Sequence, residues 1–225
     1  FLLDKFQVSD GIYHEFCMLV DNMPKHGLIV QCRKEQNKLF HIERLPGHGQ
    51  GVYIKLSEEL ERLYTGQTSP GPLPRYALGG DGTRVSRISS FVIFSVSCID
   101  AQSIEPKTIA IVKTNENYMS LSQQCGPFFD DINSVIKAGC IQVGTQKIDI
   151  KLYLTGDMKF LLSCLGLKSA TADQCCLYCW SSKADRKKCD RPINYYQSSS
   201  MKRTLESICT DAPKNKNGVA HLPLI

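Results

Sequence analysis

The chain has 225 residues and the composition of an ordinary globular protein, with 42% hydrophobic and 22% charged residues. No apolar stretch approaches the roughly 20 residues that a membrane-spanning helix needs, so we expect no membrane partner. The eleven cysteines are odd in number and scattered through predicted strands and helices. This pattern is not typical of a disulfide framework, and the chain is expected in a reducing intracellular compartment with mostly buried thiols.

The N-terminal third reads as helical. Apolar residues recur at helical spacing over residues 12–22 and 54–64, and Ser9 or Asp10 can cap the first of these helices. Residues 28–40 mix apolar and basic side chains and are interpreted as a further helix. A stretch rich in glycine and proline follows at residues 65–74 and indicates a linker. Residues 1–74 are therefore predicted to be an N-terminal helical region and linker.

From residue 75 the pattern changes to strands. Strands are predicted at residues 75–80, 90–99 and 108–113, helices at 115–125 and 128–138, a fourth strand at 148–154 and a helix at 158–165. A helical crossover can return the fourth strand beside the first and parallel to it. This order predicts an α/β, ribonuclease H-like mixed sheet: three antiparallel strands, a helical crossover, and a fourth strand parallel to the first.

Residues 75–170 are expected to form this core, and residues 171–225 a basic segment containing cysteines. Because the chain stops within an apolar run at residues 223–225, we expect an incomplete core and a segment that continues in a longer parent protein.

The basic charge gathers after residue 181, where nine of the 27 lysines and arginines lie but only four of the 22 acids. The rest of the chain is close to neutral, although the net charge is +5. Such a segment suits a polyanion, and phosphate contacts are predicted for Lys183, Arg186, Lys187 and Lys188. A solvated surface loop is the alternative.

Two aspartates follow glycines near the ends of predicted strands. Asp81 lies in Gly-Gly-Asp-Gly-Thr and Asp157 in Gly-Asp-Met-Lys. If their strands are parallel neighbours, the two carboxylates converge at one sheet edge, where they can bind Mg²⁺ or Mn²⁺. Asp81 could instead cap a hairpin, or belong to a nucleotide-binding loop like that of NAD kinases and diacylglycerol kinases. Asp157 could simply be a helix N-cap.

Cys176 and Cys179 have the Cys-x-x-Cys spacing with which two thiolates bind one Zn²⁺. Cys189, Cys209 and His221 are the candidates within the chain for completing a tetrahedral site. Buried structural thiols and a redox pair are the alternatives.

Four motifs together resemble a known family: Gly-Asp-Gly-Thr, Lys-Thr-Asn-Glu-Asn-Tyr at residues 113–118, Gly-Asp-Met-Lys-Phe-Leu, and Cys-Leu-Tyr-Cys. They resemble a group of uncharacterised invertebrate transposase-derived proteins, which are distantly similar to the catalytic core of the V(D)J recombination-activating recombinase and to Transib-type DDE transposases. The resemblance implies that Asp81 and Asp157 are the first two catalytic acids, that Cys176 and Cys179 belong to a structural zinc site, and that the protein is nuclear.

The expected function is thus divalent-metal-dependent cleavage or strand transfer on DNA, with a homodimer as a further expectation and no small-molecule substrate. The family's third acid and its zinc-binding histidines lie further downstream than this chain extends. A domesticated, catalytically inactive module that contains zinc and binds nucleic acid or protein is the alternative.

Overall fold

In this computed structural model we describe residues 9–20, 23–46, 50–67, 71–84, 89–101, 105–187, 192–198 and 200–225. Lys188 and Cys189 lie outside these ranges. The chain divides into two compact units, Phe1–Ile42 and Glu43–Ile225. None of the described helices has the length and apolar character needed to cross a bilayer.

The first unit contains helices α1 (Asp10–Leu19) and α2 (His26–Lys38). Ser9 caps α1, since its hydroxyl accepts a hydrogen bond from the Ile12 N–H at 3.3 Å. The Tyr13 hydroxyl donates to the Pro24 carbonyl at 2.8 Å and ties the connection to α1. Most apolar side chains of this helix pair are exposed.

The second unit contains fifteen further helices and strands among the described residues. In chain order they are β1 (Glu43–Arg44), β2 (Gly51–Tyr53), α3 (Leu56–Thr65), β3 (Arg75–Arg84), β4 (Ser90–Cys98), β5 (Lys107–Val112), α4 (Tyr118–Gln124), α5 (Gly126–Ala138), β6 (Cys140–Val143), β7 (Gln146–Asp149), β8 (Lys151–Gly156), α6 (Met158–Cys164), α7 (Lys183–Arg186), α8 (Ile193–Gln197) and α9 (Leu205–Asp211), and a 3₁₀ turn, Ala212–Lys214, follows.

Six strands form one mixed sheet in the order β1-β2-β5-β4-β3-β8. Strands β3 and β8 are parallel, and every other neighbouring pair is antiparallel. The predicted α/β class and mixed sheet are confirmed. The order of β5, β4, β3 and β8, with α4 and α5 in the crossover, is compatible with a ribonuclease H-like arrangement.

The structure departs from the sequence prediction at two places. Strands β1 and β2 extend the sheet beyond β5, in a region where no strand was predicted. The predicted strand over residues 148–154 is divided, because Ile148 lies in the β6–β7 hairpin and only residues after Ile150 join the main sheet. The hairpin turns at Gly144, which has a φ of +57°.

The main core lies between one face of the sheet and the helices. Phe94 of β4 is fully buried, and its ring lies 4.9 Å from Phe128 of α5 and 5.7 Å from Phe160 of α6, centroid to centroid. Burying one such ring contributes roughly 1.5–3 kcal/mol. Because α6 directly follows β8, this packing fixes the end of β8 against β3.

A smaller apolar cluster supports the C-terminal segment. Leu162 and Leu167 pack with Ile208, Ala212 and Val219. Helix α6 ends before Gly166, whose φ of +66° and close approach to the His221 carbonyl leave no room for a side chain. The cysteine-containing segment is thereby held beside α6.

Candidate functional site

The strand register places the two predicted acids at equivalent positions on neighbouring strands. Gly80 of β3 pairs with Gly156 of β8, and an aspartate immediately follows each glycine. Asp81 remains within β3, opposite Ile93 of β4. Asp157 has left β8 and precedes α6. Both aspartates are exposed at the same end of a parallel strand pair.

The glycines around Asp81 make room for side chains on the core face. A Cβ at Gly80 would collide with the Phe160 ring, and one at Gly82 would lie 2.5 Å from Glu116 Oε2. Side chains alternate between the two faces along a strand, so Asp81 lies on the opposite face. Thr155 shares that face, because its hydroxyl would lie 3.1 Å from a Cβ at Gly79.

A shallow pocket of about 350 Å³ adjoins Asp81, and we call it the Asp81 groove. Its lining is small and largely uncharged: Gly79, Gly80, Asp81, Thr83, Ile93, Ser95 and Gly156. Asp157 is not part of this lining. The groove therefore gives Asp81 open access to a ligand, but it does not itself unite the two aspartates.

Asp157 is the N-cap of α6. Its Oδ1 accepts a hydrogen bond from the Phe160 N–H at 2.7 Å. This contact satisfies an otherwise unpaired helix donor. The cap uses Oδ1, whereas Oδ2 takes no part in that bond. Among the described residues, no group of three or more His, Cys, Asp or Glu side chains is placed to hold a metal ion.

Glu116 is a residue that the sequence analysis did not single out as a candidate. Its side chain is only 7% exposed, and its Oε2 lies 2.7 Å from the Lys159 ammonium. Its Oε1 is buried and has no hydrogen-bond partner among the residues that the structure describes. Such a carboxylate carries a desolvation cost that a ligand could relieve. The sequence feature that could have pointed to Glu116 is its position in the short connection after β5, one residue before Asn117, the N-cap of α4.

Glu116 lines an open pocket of about 540 Å³, which we call the Glu116 cleft. Its apolar surface includes leucine and alanine side chains, those of Leu162, Leu167, Ala170 and Ala220. Its polar groups include those of Lys159, Lys168, Ser169 and Thr171. Tyr118 and His221 also line it, with their rings stacked 4.1 Å apart at 12°. A neighbouring pocket of about 480 Å³ shares Glu116, Asn117 and Lys159.

The kinase alternative for Gly-Gly-Asp-Gly-Thr requires a loop that leads into a helix. Residues 79–83 lie inside β3 instead, and the next described element is the strand β4. Gly80 and Gly82 accommodate Phe160 and Glu116 rather than opening the backbone towards a phosphate. The local structure that this alternative needs is therefore not found in the described residues.

The predicted cysteine pair is close in space. The Sγ atoms of Cys176 and Cys179 lie 3.4 Å apart, and the Tyr178 N–H donates to Cys176 Sγ at 3.4 Å. A disulfide would need about 2.05 Å, whereas tetrahedral zinc with bonds of about 2.3 Å separates two sulfurs by about 3.8 Å. The donor set fits half of a zinc site. Among the described residues no third such ligand groups with the pair, so neither Cys209, exposed on α9, nor His221, stacked on Tyr118, joins it.

Buried Arg203 organises the backbone around this pair. Its guanidinium donates to the carbonyls of Cys176 at 3.0 Å, Gln174 at 3.2 Å and Asn217 at 2.9 Å. Burial raises the pKa of the Cys179 thiol, while the Ser181 N–H and the positive charge of Arg203 act in the opposite direction. Arg203 thus favours the thiolate that a metal needs.

The predicted phosphate-binding residues differ in their surroundings. Lys183 and Lys187 are exposed. Arg186 donates to Cys175 Sγ at 2.7 Å and to the carbonyls of Ala172 and Asp173, so its guanidinium already stabilises the cysteine segment. Lys188 falls outside the described part of the chain.

Fold and site together define an α/β protein with two acids at the end of a parallel strand pair and, in the C-terminal segment, a close pair of cysteines. The chain matches no protein-family model, and no curated protein matches it significantly.

Proposed function

We propose that this chain carries the core of a DDE-type nuclease or recombinase that cleaves or joins DNA phosphodiester bonds with divalent metal ions. One observation carries the proposal: Asp81 and Asp157 directly follow the paired residues Gly80 and Gly156 at the end of parallel strands β3 and β8. The ribonuclease H-like strand order and the sequence resemblance support the same assignment. The action is expected in the nucleus, and a homodimer is part of the proposal.

Asp81 would offer its exposed carboxylate from β3, and Asp157 would offer the oxygen that does not cap α6. Carboxylate oxygens are the ligands that Mg²⁺ and Mn²⁺ prefer. Two such ions, when bound, activate the attacking hydroxyl and stabilise the leaving oxygen of an in-line displacement. The exposed Lys183 and Lys187 would contact phosphates without reading sequence, and Lys188 belongs to the same proposed set.

The test is metal-dependent nicking of supercoiled DNA by the longest available form of the protein. Asp81→Asn and Asp157→Asn each remove a ligand charge and are expected to reduce nicking by at least about a hundredfold. Asp130→Asn is the matched control, because Asp130 is an exposed aspartate on α5, away from both pockets. Nicking that survives in Asp81→Asn at the control level would refute the catalytic proposal.

A second candidate is a binding module without catalysis. The capping role of Asp157 Oδ1 favours it, since this contact alone explains an aspartate before a helix. The two candidates differ in metal binding. Saturable Mn²⁺ binding by the wild type that is lost in both aspartate variants supports the nuclease. If neither the wild type nor the variants bind Mn²⁺ at millimolar concentration, the binding module is supported.

Structural zinc at Cys176 and Cys179 belongs to both candidates, and the remaining ligands would come from outside the described residues, where the candidate Cys189 lies. Purified protein is expected to contain zinc by elemental analysis, and the Cys176→Ser/Cys179→Ser double variant is expected to lose it. Cys209→Ser is the matched control, because Cys209 is exposed and apart from the pair. Zinc retained in the double variant would contradict this assignment.

A further inference from the structure

The Glu116 cleft has a chemistry that the metal-dependent cleavage of DNA does not use. Its side chains include a buried carboxylate, two lysines, two stacked aromatic rings and an apolar patch. Glu116 is the unusual member, because charged groups this deeply buried are normally fully paired. Within the described part of the chain, its Oε1 has no hydrogen-bond partner.

The cleft suits a ligand with both apolar and anionic parts. Leucine and alanine side chains with a tyrosine–histidine wall suit a flat ring, because aromatic faces stack on nucleobases. Lys159 and Lys168 lie on the same cleft and suit a phosphate. A volume of about 540 Å³ lies in the usual range for small-molecule sites.

Glu116 specifies which ring fits best. A carboxylate offers two acceptor oxygens side by side, and guanine presents two adjacent N–H donors on its pairing edge. Adenine and cytosine present one amino group each, and thymine presents none. Lys159 now donates to Oε2, yet its side chain is 64% exposed and can swing to a phosphate. Oε2 would then lose its partner and Oε1 has none among the described residues, so a base could donate to both.

We propose that the Glu116 cleft binds a single guanine nucleotide, with the base on Glu116 and its phosphate on Lys159 and Lys168. Lys159 and Lys168 would together offset the phosphate charge, and the two guanine N–H donors would replace the Lys159 ammonium as the partners of Glu116. The source of the nucleotide, an unstacked residue of a DNA strand, rests on the proposed function. The recognition itself needs neither Asp81 nor Asp157, since the cleft contains neither residue.

The test measures binding of dGMP, dIMP and dTMP to the full chain by calorimetry with EDTA present. dIMP is the matched ligand, since it lacks only the guanine amino group. We expect dGMP to bind at least about tenfold more tightly than dIMP or dTMP, the effect of losing one hydrogen bond to a charged group. No saturable binding below about 10 mM, or equal binding of dGMP and dTMP, overturns the proposal.

Two variants separate recognition from folding. Glu116→Gln keeps the shape of the side chain but loses one acceptor oxygen. The variant is expected to bind dGMP and dIMP with affinities within about twofold of each other. Lys168→Ala changes an exposed residue and is expected to weaken all three ligands alike by several-fold. An unaltered dGMP preference in a folded Glu116→Gln protein, checked by its thermal midpoint, rejects the assignment.

Two oligonucleotides identify the source of the nucleotide. A thymine strand with one central dG is expected to bind more tightly than free dGMP and more tightly than the all-thymine strand. Equal binding of the two strands counts against the proposal. Because no metal is present, these results are independent of whether Asp81 and Asp157 support cleavage. A failed nicking assay with guanine-selective binding would therefore reject only the proposed function.

Discussion

At the scale of single residues, the sharpest prediction concerns the stability of a variant at Gly80. The α-hydrogen of Gly80 faces the Phe160 ring, and a methyl group there would occupy the position of that ring. Gly80→Ala is expected to lower the free energy of unfolding by about 1–3 kcal/mol, because a packed core cannot yield without strain. Urea titration followed by circular dichroism measures this difference.

Gly126→Ala is the matched control, because a Cβ at Gly126 meets no atom within 4 Å. It is expected to be neutral, or slightly stabilising through helix propensity in α5. Adding Phe160→Leu to Gly80→Ala should recover part of the loss, since the smaller side chain leaves space for the methyl group. Equal stability of Gly80→Ala and Gly126→Ala would show that the packing of the Phe160 ring does not require a glycine at position 80.

The same residues show what sequence reasoning could reach. Asp81 and Asp157 were identifiable because each follows glycine at the end of a strand pattern, and the register places them at equivalent positions. Glu116 was not identified, because its burial depends on Gly82, 34 positions earlier in the chain, leaving space beside it. No local pattern of charge or periodicity reveals such a contact.

At the scale of elements, strands long enough to show an alternating pattern could be predicted, as in β3, β4, β5 and β8. Strands β1 and β2 span only two and three residues, too few for a periodic signal. The β6–β7 hairpin was missed because the apolar alternation of β7 continues in phase into β8. The turn at Gly144 separates β6 from β7, and a glycine turn between short apolar runs is the signal to look for.

A second prediction concerns the hydrogen bond between helices α3 and α5. The α3 N-terminus has no cap from its own N-cap residue, Lys55; instead Asp131 of α5 accepts a hydrogen bond from the Leu56 N–H at 2.6 Å. Burial raises the pKa of Asp131 above its ordinary value of 3.8, and the Leu56 N–H and Lys55 oppose this only in part. Ionised Asp131 is therefore disfavoured in the folded state.

A raised pKa contributes stability that is fully present below the unfolded value and is lost as pH rises through the folded value. Asp131→Asn keeps an acceptor oxygen but does not titrate. The stability of wild type relative to this variant is therefore expected to fall as pH rises from about 3.8, and then to level off. Urea titrations of both proteins from acid to neutral pH measure it, and a difference that rises with pH would contradict the assigned cause.

At the scale of the whole molecule, the two units differ in how much apolar surface they bury. The Glu43–Ile225 unit has a continuous core around Phe94, with both sheet and helix residues fully buried. In the Phe1–Ile42 unit, Leu19 is 81% exposed and Leu28 is 60% exposed, and α2 has no buried residue. Helix α1 has 10 residues and buries Tyr13, and α2 has 13 residues and buries none; helices this short with so little buried surface are marginal in water.

Hydrogen exchange on the intact chain should therefore separate the units. Amides of α1 and α2 are expected to exchange at least about a hundredfold faster than those of β4 and α5, because local opening is cheap where little apolar area is buried. Helix α5 is the internal control, since it has the same 13-residue length as α2 but buries Phe128, Phe129, Ile132 and Val135. Mass spectrometry of peptic fragments resolves these segments. If α2 were as protected as α5, a partner or a second copy of the chain would have to cover its apolar residues, and protection that rises with protein concentration would identify the second copy.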